Sequence, residues 1–123
     1  MVAWLGLALS AWLALFQVLL TCGAPLGYLA WGGQDAGVLP KGKRIASLFS
    51  ALLMALFATG FGQIAGLWVL WPESLVYGLM VAGIPLFALS TLGNLTTSSR
   101  AERRLGVPVA FGLLCACAVM VFA

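Results

Sequence analysis

The residues of this sequence that could do chemistry are amides and hydroxyls inside otherwise apolar segments. Gln17 lies five residues before the end of the first such segment, and Ser90 lies five residues before the end of the third. Ser50 lies at a similar depth in the second segment, while Thr91 and Asn94 follow Ser90. Residues four apart share one face of a helix, as Ser90 and Asn94 do. We predict that these five side chains gather in the same half of a helical bundle.

Two interpretations of this polar group are open. The five side chains could line a small cavity that opens to the cytoplasm and admits a small solute or an ion. Alternatively, they could form hydrogen bonds between helices, each worth about 0.6 kcal/mol in a membrane, which would specify the bundle. The sequence favours the second interpretation.

The apolar segments contain no Asp, Glu, His, Lys or Arg. Proton-coupled transport and voltage sensing normally depend on such residues within the membrane. The residues that form hydrolytic zinc sites, catalytic triads and carboxylate pairs are also missing, since the sequence has no His and these segments have no carboxylate. We therefore expect no enzymatic activity and no cofactor.

Three cysteines raise the alternative of a soft-metal site. Cys115 and Cys117 are two residues apart, so on a helix their side chains point about 200° away from each other. Cys22 belongs to a different segment and is expected nearer the inner surface. We interpret all three as small buried hydrophobic residues and expect no metal site.

The composition defines the elements that must position these residues. Apolar residues make up 63% of the 123 residues and charged ones only 7%, which is too few to solvate the surface of a soluble domain. The same balance excludes a nucleic-acid-binding module, so no nucleic acid partner is expected. The chain has room for four spans of about 20 residues. We predict an all-α membrane protein with an up-down bundle of four transmembrane helices, within residues 2–22, 45–71, 75–95 and 107–123.

The basic residues orient this bundle. All six lie in the two loops that follow the first and third segments: Lys41, Lys43, Arg44, Arg100, Arg103 and Arg104. Basic loops are typically cytoplasmic, which predicts that both termini are on the outer face of the cell membrane. These residues could also contact anionic lipid headgroups, at about 1 kcal/mol each near the surface. Asp35 and Glu102 are expected to pair with basic residues near them.

Two further features concern contacts of the chain. Glycines and prolines interrupt the first basic loop, residues 23–44, and its apolar residues predict that it folds against the membrane. Gly62 and Gly66 form a small-residue pair of the kind that lets helices approach closely. That pair could pack within the bundle, or it could join the chain to a second copy or to another membrane protein.

The first loop also carries a resemblance. It contains Gly23-Ala24-Pro25-Leu26-Gly27, then Ala30-Trp31-Gly32-Gly33, then Leu39-Pro40, and Glu102-Arg103 precedes Pro108. In these residues the chain resembles a group of small bacterial four-span membrane proteins. The resemblance covers nearly the whole chain and implies the same four-span topology, but it implies no activity.

Three functions follow as expectations. A structural or accessory role in the membrane is favoured, with a partner along the face of Gly62 and Gly66. A small-solute or ion pathway through the inner polar group is the first alternative. Binding of anionic lipid by the two basic loops is the second.

Overall fold

The structure is a computed structural model that describes residues 1–31, 35 and 37–123. Its four long helices are α1 (Val2–Thr21), α2 (Lys41–Ile64), α3 (Glu73–Thr96) and α4 (Arg100–Phe122). A short 3-10 helix, Gly27–Leu29, lies between α1 and α2. Each long helix is long and apolar enough to cross a membrane, which confirms the predicted all-helical, four-helix class.

Contacts at both ends of the helices show an antiparallel arrangement. The Arg44 guanidinium near the start of α2 donates to the carbonyl of Thr21 at the end of α1, at 3.0 Å. At the other end of this pair, the ring of Phe61 in α2 packs against Gly6 in α1. The α3 and α4 pair is closed in the same way, with Asn94 against Gly106 and Gly83 against Cys117. The two hairpins meet mainly where α1 packs on α4, whereas α2 and α3 make few contacts.

This arrangement gives the bundle two unlike ends. The basic end holds the start of α2, the start of α4 and all six basic residues. The terminal end holds both chain termini and the turn between α2 and α3. The main hydrophobic core, which we call the terminal core, joins residues of α2, α3 and α4: Met54, Phe57, Phe61, Met80, Phe87, Leu113, Ala116 and Cys117.

The second helix ends earlier than the sequence predicts. We expected a span up to Trp71, but α2 ends at Ile64. Gly66 follows with a φ of +87°, which a residue with a side chain rarely adopts. The amides of Gly66 and Leu67 donate to the carbonyls of Gln63 and Gly62, both at 3.0 Å. These two bonds are the Schellman pattern that closes a helix.

The interpretation of Gly62 and Gly66 as one packing face of a helix is therefore wrong. Gly66 lies outside α2, and it is a glycine because the turn needs its positive φ. It does not allow a close helix contact, since a Cβ there would meet nothing within 4 Å. Gly62 is covered by the indole of Trp68 from the same turn, because a Cβ there would overlap the ring. The chain itself thus covers Gly62, whereas Gly66 is exposed on the turn.

Gln63 holds this turn against α2. Its Oε1 accepts from the amides of Leu70 at 2.9 Å and Trp71 at 3.0 Å, and its Nε2 donates to the Trp71 carbonyl at 2.8 Å. Thr59 accepts from two indoles, through its carbonyl from Trp68 and through its hydroxyl from Trp71, both at 2.9 Å. The apolar run after Ile64 is therefore a turn that folds back on its own helix.

The fourth helix starts earlier than predicted, at Arg100 instead of Val107. Ser99 is its N-cap, and the Ser99 hydroxyl accepts from the amide of Glu102 at 3.2 Å. Pro108, which the sequence places in the first turn of the span, therefore lies inside the helix. The extra turns bring Glu102 and Gly106 into the basic end of the bundle.

Candidate functional site: a polar cavity at the basic end

The four helices line a partly open cavity of about 300 Å³ in the half of the bundle nearer the basic end. Every long helix contributes to its wall, and the loop after α1 contributes Leu29, Ala30 and Trp31. Phe87, at its wall, packs edge-on against Phe57 of the terminal core, with ring centroids 4.9 Å apart. This volume is at the lower end of the range for ligand pockets in proteins, which have mostly apolar walls and a few polar groups.

The structure places four of the five predicted cavity residues on this wall. Gln17 comes from α1, Ser50 from α2, and Ser90 and Asn94 from α3. Thr91 does not line the cavity: it is buried, and its hydroxyl donates to the carbonyl of Phe87 at 2.7 Å. The separation follows from helix geometry, since consecutive residues point about 100° apart.

Gln17 is the unusual member of this group. Its Oε1 is buried and has no hydrogen-bond partner. A buried amide oxygen without a partner costs about 1–3 kcal/mol, which is why such atoms are rare. Among the described side chains it is the one buried polar atom left in this state. Gln17 lines the cavity, but Oε1 itself has almost no surface that a water-sized molecule in the cavity could touch.

Asn94 is fixed by its surroundings. Its Nδ2 donates to the carbonyl of Ser90 at 2.7 Å. Its side chain packs so closely on Gly106 of α4 that a Cβ at Gly106 would overlap the Asn94 amide. The Asn94 amide therefore reaches the wall of the cavity because α4 has a glycine at this point.

The loop after α1 covers the basic end of the cavity. The hydroxyl of Ser99 donates to the carbonyl of Tyr28 at 2.7 Å, and the indole of Trp31 donates to the hydroxyl of Ser47 at 3.2 Å. A second hydrophobic cluster packs the loop residues Ala30 and Leu39 against Phe16 and Leu20 of α1. The described part of the loop thus packs on the helices of the bundle. Gly32 and Gly33, part of the resemblance, lie outside the described residues.

A second pocket of about 410 Å³, which is largely open to the surface and which we call the second chamber, adjoins the first. Of the described residues, four line both chambers and so surround their junction: Trp31, Ser90, Asn94 and Glu102. Sequence reasoning missed Glu102 as a cavity residue because it placed the start of α4 seven residues too late. The Ser99-x-x-Glu102 pattern is a helix-start signal, and it could have revealed the true start.

The two acidic residues near the basic end behave differently. Asp35 forms an ion pair with Lys43, as expected. The prediction for Glu102 is wrong, since no basic side chain of the described residues forms an ion pair with it. Its Oε2 instead accepts from the hydroxyl of Thr97 at 3.1 Å.

The six predicted lipid-contact residues divide by their contacts. Arg44 holds the end of α1: its guanidinium donates to the Thr21 carbonyl, and its backbone carbonyl accepts from the Thr21 hydroxyl at 3.2 Å. Lys43 forms an ion pair with Asp35. Arg103 donates to the carbonyl of Thr97 at 3.2 Å. Lys41, Arg100 and Arg104 are exposed, and no other described side chain bonds to them. Lipid contact stays a prediction, most directly for these three.

The cysteines do not form a cluster with acidic residues or with one another. The prediction that all three cysteines are buried is wrong for Cys22 and Cys115, which are exposed, whereas Cys117 is buried beside Gly83. Within the described ranges, no three Cys, Asp or Glu side chains are close enough to hold a metal ion. The chemistry that the cavity offers is therefore hydrogen bonding, a carboxylate and aromatic surface.

Comparison of the chain with protein-family models, with curated proteins and with solved structures finds no match. The function is therefore inferred from the cavity and its residues. What these groups can do together is hold a small molecule by shape and by a few directed polar contacts.

Proposed function

We propose that the protein binds a small polar solute in the cavity at the basic end of its bundle, without chemical conversion. The cavity of about 300 Å³ carries this proposal, with four polar side chains on its wall: Gln17, Ser50, Ser90 and Asn94. A bundle that used these side chains only to join helices would pair them across helices, but none of the four bonds to another helix among the described residues. A bound solute with donor and acceptor groups would satisfy them instead.

Binding is favoured over open conduction because the terminal half of the bundle is filled. Phe57, Phe61, Leu113 and Cys117 of the terminal core are almost completely buried there. Closely packed apolar side chains leave no room for water. A solute that enters from the basic end therefore stops at Phe87 in this conformation.

The proposal predicts that filling the cavity abolishes binding. Ser90→Leu adds apolar volume at the junction of the two chambers, and no hydrogen bond is lost because the Ser90 hydroxyl makes none with the described residues. Ser74→Leu is the matched control, since Ser74 is an exposed residue of the same helix at the terminal end. The measurement is thermal unfolding in lipid nanodiscs with a panel of small amines, alcohols and carboxylates.

A solute at a hundred times its Kd should stabilise the wild type and Ser74→Leu by about 2.7 kcal/mol, and Ser90→Leu by almost nothing. The proposal is wrong if no member of the panel stabilises the wild type, or if Ser90→Leu responds equally. In either case the accessory role expected from the sequence becomes the better interpretation.

We further propose that the chain spans the cell membrane with its basic end in the cytoplasm and both termini outside. The six basic residues at one end support this orientation. Ser74→Cys and Thr96→Cys place exposed thiols at the two ends of α3, in a background with Cys22, Cys115 and Cys117 replaced by Ala. A membrane-impermeant maleimide added to intact cells should label Ser74→Cys and should label Thr96→Cys only after lysis. The reverse pattern would show the opposite orientation.

A further inference from the structure

We propose that the solute is a small organic cation that carries a hydrogen-bond donor, selected by Glu102 and Trp31 at the junction of the two chambers. This inference rests on the proposed function and names the chemical class of its ligand. It follows from the charge of the chamber walls, the free atoms of Glu102 and the aromatic residues around them.

The charge of the walls favours a cation. Among the described residues that line either chamber, Glu102 is the one with a charge, and no Lys or Arg is among them. The basic residues nearest in sequence are engaged elsewhere or exposed, since Arg103 donates to the Thr97 carbonyl, and Arg100 and Arg104 lie on the surface. An anionic solute would have to lie beside Glu102 with no cation of these lining residues to balance it.

The hydrogen bonds of Glu102 fix its carboxylate and leave capacity for a ligand. The Ser99 amide donates to the Thr97 hydroxyl at 3.3 Å, and that hydroxyl donates to Glu102 Oε2 at 3.1 Å. This short relay orients the side chain at the start of α4. Oε1 accepts no hydrogen bond from the described residues, so it is available to a cation. Charge-assisted contacts to such an oxygen are stronger than neutral ones.

Aromatic side chains complete the surroundings that a cation prefers. Trp31 lines both chambers, and its ring nitrogen is engaged with Ser47, so the ring can act through its face. Trp12 and Phe16 stack with centroids 5.6 Å apart on the wall of the first chamber. A cation near the face of Trp is attracted by the ring quadrupole. The hydroxyls of Ser50 and Ser90 on the wall then accept from the donor of the same molecule.

Choline tests this inference, because it combines a quaternary ammonium with one hydroxyl donor. The probes are choline, its uncharged isostere in which carbon replaces the ammonium nitrogen, and pivalate as an anion. Binding of each is measured by calorimetry on the full chain in nanodiscs. We expect choline to bind about tenfold more tightly than the isostere and pivalate not to bind.

The variant Glu102→Gln isolates the charge, since its amide oxygen can still accept from Thr97. It should reduce the affinity for choline to that of the isostere and leave the affinity for the isostere unchanged. Glu73→Gln is the control, because Glu73 is exposed at the terminal end and should affect neither probe. Thermal unfolding without ligand shows that both variants are folded.

The outcomes separate this inference from the proposed function. If the isostere binds as tightly as choline, or if pivalate binds best, the preference for a cation is wrong and binding in the cavity stands. If none of the three probes binds, the inference is also wrong, and the panel with Ser90→Leu decides whether the cavity binds another solute. Equal loss of choline binding in Glu102→Gln and Glu73→Gln would likewise overturn the role of Glu102.

Discussion

Replacing Phe57 by alanine is expected to lower the free energy of unfolding by about 3 kcal/mol, at the low end of the range for a buried Phe. Phe57 is 1% exposed and packs edge-on against Phe87, next to Met80 and Leu113. Alanine there leaves a void among three helices, and the helix backbones cannot move close enough together to fill it. The loss is smaller than in a soluble core, because lipid tails solvate the free phenyl ring when the helices separate.

Phe49→Ala is the matched control, since Phe49 lies on the same helix and is 67% exposed. Its removal should change the free energy of unfolding by about 0.5 kcal/mol or less, as is usual for surface positions. Reversible unfolding in mixed micelles measures both. Similar losses from the two variants would mean that the terminal core is not the packing centre of the bundle. Because Phe87 also lines the cavity, Phe57→Ala should in addition weaken ligand binding.

The existence of the four helices could be predicted from apolar segment length, but the end of α2 could not. Hydropathy counts side chains, and the run from Leu67 to Trp71 is as apolar as a helix interior. Its backbone is closed by Gly66 in a left-handed conformation and held by Gln63. An apolar turn in contact with lipid and an apolar helix have the same composition, so only backbone geometry distinguishes them.

The start of α4 could be predicted from its capping pattern, but the arginines nearby favour the prediction of a loop. Arg100, Arg103 and Arg104 indicate a polar loop, whereas Ser99 and Glu102 have the spacing of a capped helix start. The structure shows that a helix can begin among basic residues and continue into the bundle. This single difference accounts for the position of Glu102 and hence for the predicted ligand charge.

The cavity itself was predictable in part. Matching their distances from the segment ends predicts that Gln17, Ser50 and Ser90 lie in the same half of the bundle, and the structure places all three on the wall of one cavity. The sequence could not show that the Gln17 oxygen has no partner, since pairing depends on distances between helices. Nor could it show that Leu29, Ala30 and Trp31 cover the cavity, because the path of the loop depends on contacts between residues distant in sequence and on a close backbone contact at Gly27.

Replacing Gly27 by alanine is expected to break that contact and open the loop. A Cβ at Gly27 would overlap the backbone carbonyl of Asp35 and lie 2.6 Å from the carbonyl oxygen of Gly37. Backbone atoms cannot rotate away as a side chain can, so the loop must move. The bond from the Gly27 amide to the Gly37 carbonyl, 2.9 Å long, is lost with it. We expect a local cost of about 2 kcal/mol.

Gly37→Ala is the control in the same loop, since a Cβ there meets nothing within 4 Å. Amide hydrogen exchange should become roughly thirtyfold faster for Leu29 and Ala30 in Gly27→Ala and should be little changed in Gly37→Ala. Amides in the middle of α2 should keep their protection in both, because the terminal core is not affected. Since Trp31 belongs to this loop and lines both chambers, choline binding should fall only in Gly27→Ala. Unchanged exchange at Leu29 and Ala30 in that variant would show that the loop does not depend on this contact, and the cavity would then need another explanation for its cover.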